Sequence, residues 1–149
     1  MLFRSGDFYD LLGLARSMGR TDDPLVRQGL ARVYSTQRVR DWARFRAAAA
    51  IRMGGSPGPE GSIGKLALSQ IARDCNDLYS TTGGAQAMLR TGPDPLDAVI
   101  AEVLVSTPAQ SIAGGTDEIQ HNILGENILG LPKEPDPNRG KPFREEGRL

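Results

Sequence analysis

The sequence predicts an all-α fold, an up-and-down bundle of antiparallel helices joined by short loops. Three observations support this. Apolar residues recur at three- and four-residue steps, cap and breaker residues divide the chain into segments, and no run alternates between apolar and polar residues as a strand does. The 149 residues suffice for one domain with a sizeable core. We therefore expect residues 1–130 to form one helical bundle.

The first two predicted helices are separated by stop and start signals. The first covers about residues 7–18 and ends at Gly19, a residue type that favours the end of a helix. Asp23 can then cap a second helix, with Pro24 at its first position. Only one glycine, tolerated at about 1 kcal/mol, interrupts the pattern before Met53. At 1.5 Å per residue this helix would span about 45 Å.

This second helix has apolar residues on more than one side, which indicates packing against both its own bundle and a partner subunit. Between residues 24 and 53 there are also seven arginines against one acid, Asp41. We interpret these arginines as a solvated or interfacial face whose aliphatic stems pack down. They are scattered around the helix, so we predict no nucleic-acid site.

A cleaner apolar period predicts a third helix from about Glu60 to Thr81, ended by the stretch 82–85. Its apolar positions are Ile63, Leu66, Ala67, Ile71, Cys75, Leu78 and Tyr79. Residues 85–94 are predicted to be irregular. The Asp-Pro pair at 94–95 opens a fourth helix to about Ser106, which Pro108 is expected to break.

The last predicted helix runs from Thr116 to about Leu129. It carries apolar residues at helical spacing, namely Ile119, Ile123, Leu124 and Ile128. Beyond it the sequence becomes rich in proline and charge. We predict that residues 131–149 form a disordered tail.

The stretch before the last helix is the most informative part of the chain. Gly114 and Gly115 allow close backbone approach, and Thr116 can cap the helix with its hydroxyl. Asp117 and Glu118 suit the positive end of the helix dipole. Free amide groups behind a glycine turn can form a phosphate or pyrophosphate cradle. The alternative is only a loop followed by a well-capped helix.

Residues 111–135 read SIAGGTDEIQHNILGENILGLPKEP. This string resembles the C-terminal signature of the acyl-CoA dehydrogenase family, flavoenzymes that oxidise acyl-CoA thioesters to enoyl-CoA. In that family a Gly-Thr turn leads into the last helix and then to Leu-Gly-Leu-Pro. The resemblance extends over about residues 12–135. It implies flavin adenine dinucleotide (FAD) as cofactor, an acyl-CoA substrate, an electron-accepting flavoprotein, and a homo- or hetero-oligomer, dimeric or tetrameric.

The resemblance also implies two places of FAD contact. In the family, a Gln-x-x-Gly-Gly motif contacts the pyrophosphate side of FAD, usually the FAD of a neighbouring subunit. The two glycines of this motif correspond to Gly83 and Gly84, and Ser80 stands in place of the glutamine. Ser80 can still donate a hydrogen bond but reaches less far. Gly115, Thr116 and Glu118 would form the second contact, although an acid near a pyrophosphate is repulsive. From the residues alone, the glycine pair at 83–84 is better explained as the end of a helix followed by a turn.

Gly114 occupies the position where many family members have the glutamate that removes the substrate's α-proton. Glycine cannot act as a general base, so we predict no catalytic residue in this chain. Either the base lies on an earlier helix, or the chain is a non-catalytic partner subunit, or the bundle serves only as an interaction scaffold. The resemblance covers only the last of the family's three domains. The Arg-x-x-Phe-Gly turn that is common near the start of that domain is missing, and residues 19–24 stand near its place. We therefore expect a partial dehydrogenase, inactive alone.

The remaining chemistry-bearing residues give weak signals. His121, the only histidine, is expected to be a surface or lining residue, since no acid–base partner accompanies it. Cys75, the only cysteine, is expected to be a buried small hydrophobe. No Cys/His cluster suggests a metal site. One cysteine and no signal-peptide pattern favour a cytoplasmic protein. Zero net charge gives no overall attraction to nucleic acid, and no apolar run is long enough to span a membrane.

Overall fold

A computed structural model of the chain describes residues 7–56, 58–88 and 95–135, together with residues 140 and 142. These residues form five α-helices and one short 3-10 helix, and they contain no strand. The helices are α1 (Phe8–Ser17), α2 (Pro24–Arg52), α3 (Glu60–Gly83), α4 (Pro95–Gln110) and α5 (Asp117–Asn127), and the 3-10 helix is Gly84–Met88. The predicted all-α helical bundle is confirmed.

Local caps explain why three of the helices begin where they do. The carboxylate of Asp7 accepts a hydrogen bond from the amide of Tyr9 at the start of α1. Asp23 caps α2 by accepting from the amide of Leu25 at 2.8 Å, and Thr116 caps α5. These side chains satisfy amide groups that have no partner within the helix. The predicted helix starts are therefore correct to within one residue.

Helix α3 is the central element, since it contacts α1, α2, α4, α5 and the 3-10 helix. It runs antiparallel to α2. Arg32 of α2 approaches Asp74 of α3 at 4.0 Å, and Gly29, one turn earlier on α2, packs on Leu78, one turn later on α3. There a Cβ on Gly29 would lie 2.7 Å from Cδ1 of Leu78. The glycine that interrupts α2 therefore allows the two longest helices to pack closely.

The core lies between α1, the first part of α2 and the second half of α3. Its buried members are Leu11, Leu14, Ala15, Val26, Leu30, Val33, Ile71, Cys75, Leu78, Tyr79, Ala87 and Val103. Cys75 is fully buried, as expected for a small hydrophobe. Burial raises the pKa of its thiol to about 12. The thiol therefore stays protonated near neutral pH and is a poor nucleophile.

One predicted helix end is wrong. Pro108 was expected to break the fourth helix, but α4 continues through it to Gln110. Proline removes one backbone donor in the last turn, while side chains support the same region. The hydroxyl of Thr107 donates to the carbonyl of Val103 at 2.7 Å, and Ser69 of α3 donates to the carbonyl of Gln110 at 3.0 Å. These contacts hold the last turn against α3.

Smaller differences concern the loops and the tail. The first part of the predicted irregular stretch, residues 85–88, belongs to the 3-10 helix, whereas residues 89–94 lie outside the described part. Helix α5 ends at Asn127, two residues earlier than predicted. Residues 131–135 are exposed and have no regular secondary structure, and most of the predicted tail beyond them is not described. Among the helices that the structure describes, none has the length and apolarity needed to cross a membrane.

Candidate functional site

The turn before α5 has a backbone shape that glycine favours. Gly114 and Gly115 have φ values of 67° and 94°, which side chains rarely adopt. The carbonyl of Gly114 accepts a hydrogen bond from Nε2 of Gln120 at 3.1 Å. A Cβ on Gly115 would lie 2.6 Å from that nitrogen. The φ of Gly115 therefore favours glycine, and a side chain there would also displace the Gln120 amide from its bond to Gly114.

The same turn presents unused backbone donors. Within the described part of the chain, the amide groups of Gly114, Gly115 and Thr116 donate to no backbone carbonyl, and the two glycines are exposed. Thr116 Oγ1 accepts from the amide of Ile119 at 3.2 Å and so opens α5, whose dipole is positive at this end. Consecutive free amide groups at a helix start can bind an anion.

Asp117 anchors this turn to α3. Its carboxylate lies 2.6 Å from Nζ of Lys65 and 2.8 Å from Arg73, and its side chain is only 12% exposed. Lys65 also donates to the carbonyl of Ser111, and Arg73 donates to the Ser111 hydroxyl. We call Lys65, Arg73, Ser111 and Asp117 the α3–turn brace. It fixes both ends of the glycine turn to one helix.

The α3–turn brace also determines the electrostatics of the turn. Burial tends to raise the pKa of Asp117, but hydrogen bonds from Lys65, Arg73 and Ser69 outweigh it and hold the pKa well below its usual range. Asp117 is therefore ionised at neutral pH. Two cations face this single carboxylate, so the brace carries a net positive charge beside the free amide groups.

Glu118 is exposed at the first turn of α5. Hydrogen bonds from its own amide and from the Thr116 hydroxyl lower the pKa of its carboxyl. The ionised Glu118 carboxylate thus already accepts hydrogen bonds from donors at the start of α5. His121, one turn further along α5, is exposed, which agrees with the prediction of a surface residue.

The second predicted contact lies at the C-terminal end of α3. Ser80 is exposed, and its hydroxyl donates to the carbonyl of Asn76 within the helix. Gly83 is the last residue of α3, and Gly84 follows with a φ of 53°. Arg20, from the loop between α1 and α2, reaches this end, since its guanidinium lies 3.5 Å from the Thr82 carbonyl. The same guanidinium forms an ion pair with Asp23 at 2.6 Å, so its charge is balanced within this chain.

The structure does not bring the two predicted contact regions together. Ser69 marks the position on α3 where the turn region attaches, through its bond to Gln110. Gly83 lies fourteen residues further along the same helix, a distance of about 21 Å at 1.5 Å per residue. A single pyrophosphate group cannot touch both regions of one chain.

Gly114, which the resemblance aligns with the family's catalytic base, has no side chain. Two carboxylates lie close to Gly114 in the sequence. Asp117 forms two ion pairs, and Glu118 is exposed and ionised. Neither environment raises a carboxyl pKa toward neutrality, as a general base needs. Within the described residues, no group of three metal-binding side chains occurs.

The chain is thus an α-helical domain with a candidate anion-binding turn. This turn precedes the last helix and is fixed to the central helix α3. Residues 13–129 match the family described as acyl-CoA dehydrogenase, C-terminal domain. This match covers most of the chain. The chain therefore belongs to the acyl-CoA dehydrogenase family and corresponds to its C-terminal domain.

Two curated relatives agree with this assignment. The chain is 31% identical over 131 residues to acyl-CoA dehydrogenase IpdE1 of Mycobacterium tuberculosis, a match that covers 84% of this chain and 31% of the relative. It is also 31% identical over 130 residues to IpdE1 of Mycolicibacterium smegmatis, covering 84% of this chain and 30% of the relative. The chain thus spans about a third of the length of the curated relatives it matches.

Solved structures show the same fold. The Tcur3481-Tcur3483 steroid ACAD superposes with a TM-score of 0.71 at 20% identity, covering 85% of this chain and 34% of that chain. The ChsE4-ChsE5 complex from Mycobacterium tuberculosis superposes with a TM-score of 0.71 at 23% identity, covering 90% of this chain and 38% of that chain.

Proposed function

We propose that the chain is the C-terminal helical domain of an FAD-dependent acyl-CoA dehydrogenase, which desaturates acyl-CoA thioesters between the α and β carbons. In this proposal the turn at Gly115 and Thr116 and the helix end at Ser80, Gly83 and Gly84 contact FAD. The observation that carries it is the run of free amide groups at the start of α5, beside a brace with net positive charge. Membership of the acyl-CoA dehydrogenase family supports the proposed reaction class.

FAD, when bound, supplies the hydride acceptor for the desaturation. The residues of this chain would bind and orient it. The amide groups of Gly115 and Thr116 would donate to phosphate oxygens, and the α3–turn brace would hold those amides in place. Because the two contact regions are about 21 Å apart along α3, we propose that they touch FAD molecules of different subunits.

Partners follow from the same proposal. The substrate is an acyl-CoA, and the redox partner is an electron-accepting flavoprotein. The chain offers no general base at residue 114, so proton abstraction would need a carboxylate from elsewhere in the assembly. We expect the 149-residue chain alone to give no acyl-CoA-dependent reduction of a dye in the presence of FAD. Clear turnover by the purified chain would contradict this assignment of roles.

The contact at Thr116 can be tested by FAD binding, followed by flavin fluorescence. We expect weak binding by the chain, reduced about fivefold to tenfold by Thr116→Ala, because loss of the hydroxyl that caps the Ile119 amide loosens the helix start whose amide groups would bind FAD. Thr36→Ala is the matched control, since that exposed hydroxyl donates only to the Arg32 carbonyl of its own helix. Equal binding by all three proteins would show that FAD does not contact the turn.

Glu118→Gln should strengthen FAD binding a few-fold. The Glu118 carboxylate accepts from the same helix start that would bind the pyrophosphate, and its negative charge repels phosphate. Glutamine removes the charge and keeps the side-chain length. The measurement is the same fluorescence titration at low ionic strength, where the difference should be largest. Weaker binding by this variant would place Glu118 among the residues that hold FAD.

A second candidate function is a non-catalytic partner subunit that contributes FAD contacts and interface but no proton transfer. Gly114 favours it, as does the presence of two differently named proteins in each matched complex. The test is to measure dye reduction after mixing the chain with a dehydrogenase subunit that carries the base. Activity that needs both chains supports the partner role, whereas an unchanged rate excludes it.

A further inference from the structure

A groove of about 430 Å³ opens between the second half of α2 and the first part of α3. Small residues line most of it, namely Ala43 and Ala47 from α2 and Gly61 and Gly64 from α3, and Leu68 adds an apolar side chain. A Cβ on either glycine would meet nothing within 4 Å, so the space beside them is open. Cavities of about 300–1,000 Å³ are typical of sites for small ligands. We call this space the α2–α3 groove.

Two arginines line the same groove and have hydrogen-bond donors without partners. Arg44 is exposed, and no carboxylate that the structure describes lies within ion-pair distance of it. Arg40 lies 3.2 Å from Asp41, which is also 3.6 Å from Arg38. The Nε of Arg40 is buried and has no hydrogen-bond partner. Asp41 can balance only one of these cations, so the groove carries a net positive charge.

We infer that the α2–α3 groove binds an aliphatic monocarboxylate, a ligand with one carboxylate and an unbranched apolar chain. Arg40 and Arg44 are one helical turn apart, so both guanidinium groups can reach one head group. Guanidinium groups bind carboxylates through charge-assisted and often paired hydrogen bonds. The chain of the ligand would lie along the alanine and glycine lining, where it removes apolar surface from water.

The two parts of the groove together select this class of ligand. A small inorganic anion would satisfy the arginines but would leave the apolar lining in water. An uncharged alkyl chain would cover that lining but would leave the arginine donors without partners, which is unfavourable where they are desolvated. A carboxylate joined to an alkyl chain satisfies both parts at once.

This site is separate from the two proposed FAD contact regions. Gly61 lies twenty-two residues before Gly83 on α3, a distance of about 33 Å at 1.5 Å per residue. The turn before α5 does not line the groove either. The inference therefore goes beyond the proposed function, and its tests need no FAD.

An amide NMR titration of the chain with three probes tests the inference. Octanoate has both the carboxylate and the chain, acetate has the carboxylate without the chain, and 1-octanol has the chain without the charge. We expect octanoate to shift the amide signals of Gly61 and Gly64 saturably, with at least tenfold higher affinity than either other probe. Added salt should weaken octanoate binding.

Four results would contradict the inference. Octanoate may leave the two glycine signals unchanged, acetate may bind equally well, or 1-octanol may bind equally well. The second result would indicate a simple anion site, and the third an apolar groove in which the arginines have no role. The fourth is a shift of the same signals with protein concentration and no probe, which would identify a second copy of the chain as the occupant.

The head-group contact is tested by Arg44→Gln, which removes the charge and keeps a polar side chain. We expect octanoate binding to weaken about tenfold or more, while the weak binding of 1-octanol stays unchanged. Arg46→Gln is the matched control, because Arg46 is exposed on the same helix and does not line the groove. Equal loss in both variants would mean that binding depends on overall charge, and the proposed site would be wrong.

The chain contact is tested by Gly64→Leu, which places a side chain in the open space. Leucine favours a helix more than glycine does, so we expect the fold to be retained. Octanoate affinity should fall about tenfold, and the weak acetate affinity should not change. Gly13→Leu makes the same change at an exposed position on α1 that also has open space beside it. Undiminished octanoate binding by Gly64→Leu would place the ligand outside the groove.

Discussion

Asp117→Ala is expected to lower the free energy of unfolding by about 3 kcal/mol, because it leaves the half-buried Lys65 ammonium and Arg73 without their shared carboxylate. The value lies at the lower end for a buried ion pair because Arg73 is 43% exposed and can regain water. The measurement is urea unfolding at neutral pH. Asp22→Ala, an exposed loop carboxylate, should change stability by less than about 0.5 kcal/mol.

The pH dependence of stability gives a second readout of the same group. The folded-state pKa of Asp117 is lowered, so its contribution is fully present above the unfolded pKa of about 3.9 and is lost as the pH falls further. Asp117→Asn should therefore be less stable than the natural chain at pH 7, and the difference should shrink at acid pH. A difference that does not change with pH would contradict the ion-pair explanation.

Gly115→Ala is expected to destabilise the chain by about 2–3 kcal/mol, since it combines backbone strain with a steric conflict. The φ of 94° disfavours any side chain, and the new Cβ would lie 2.6 Å from Nε2 of Gln120. Relief of that contact would break the hydrogen bond from Gln120 to Gly114 and so alter the turn. FAD binding should be lost along with stability.

Gly114→Ala is the matched control in the same turn. Its φ is 67°, but a Cβ there would meet nothing within 4 Å. We expect a loss of about 1 kcal/mol from backbone strain alone. Thermal unfolding of both variants separates the two causes. Equal destabilisation would show that the contact with Gln120 is not what makes Gly115 necessary.

Features specified by neighbouring residues could be predicted from the sequence. Asp23 and Thr116 act on amide groups two or three positions away, so the starts of α2 and α5 follow from short patterns. The end of α4 could not be predicted in this way. Pro108 lies in a last turn that is held by Ser69, which is distant in sequence. Packing between helices overrode the local breaker signal.

The α3–turn brace shows the same limit at the candidate site. The sequence indicated a dipole role for Asp117, but its ion-pair partners Lys65 and Arg73 lie 52 and 44 residues away. Their positions on α3, two turns apart, put both on one face of that helix, but nothing in their local sequence indicates a carboxylate partner. Arg20 was likewise not assigned to the Gly83–Gly84 end. The glycines themselves could be predicted because their backbone roles are local.

The most direct test of the central claim is an amide NMR titration of the chain with ADP and, separately, with riboflavin. ADP carries the adenosine and pyrophosphate parts of FAD, whereas riboflavin carries only the flavin part. We predict that ADP shifts the amide signals of Gly114, Gly115 and Thr116, and with a separate affinity those of Gly83 and Gly84, while riboflavin shifts neither set. Shifts with ADP that avoid both sets, or no shifts at millimolar ADP, would contradict the assignment of these residues to FAD binding.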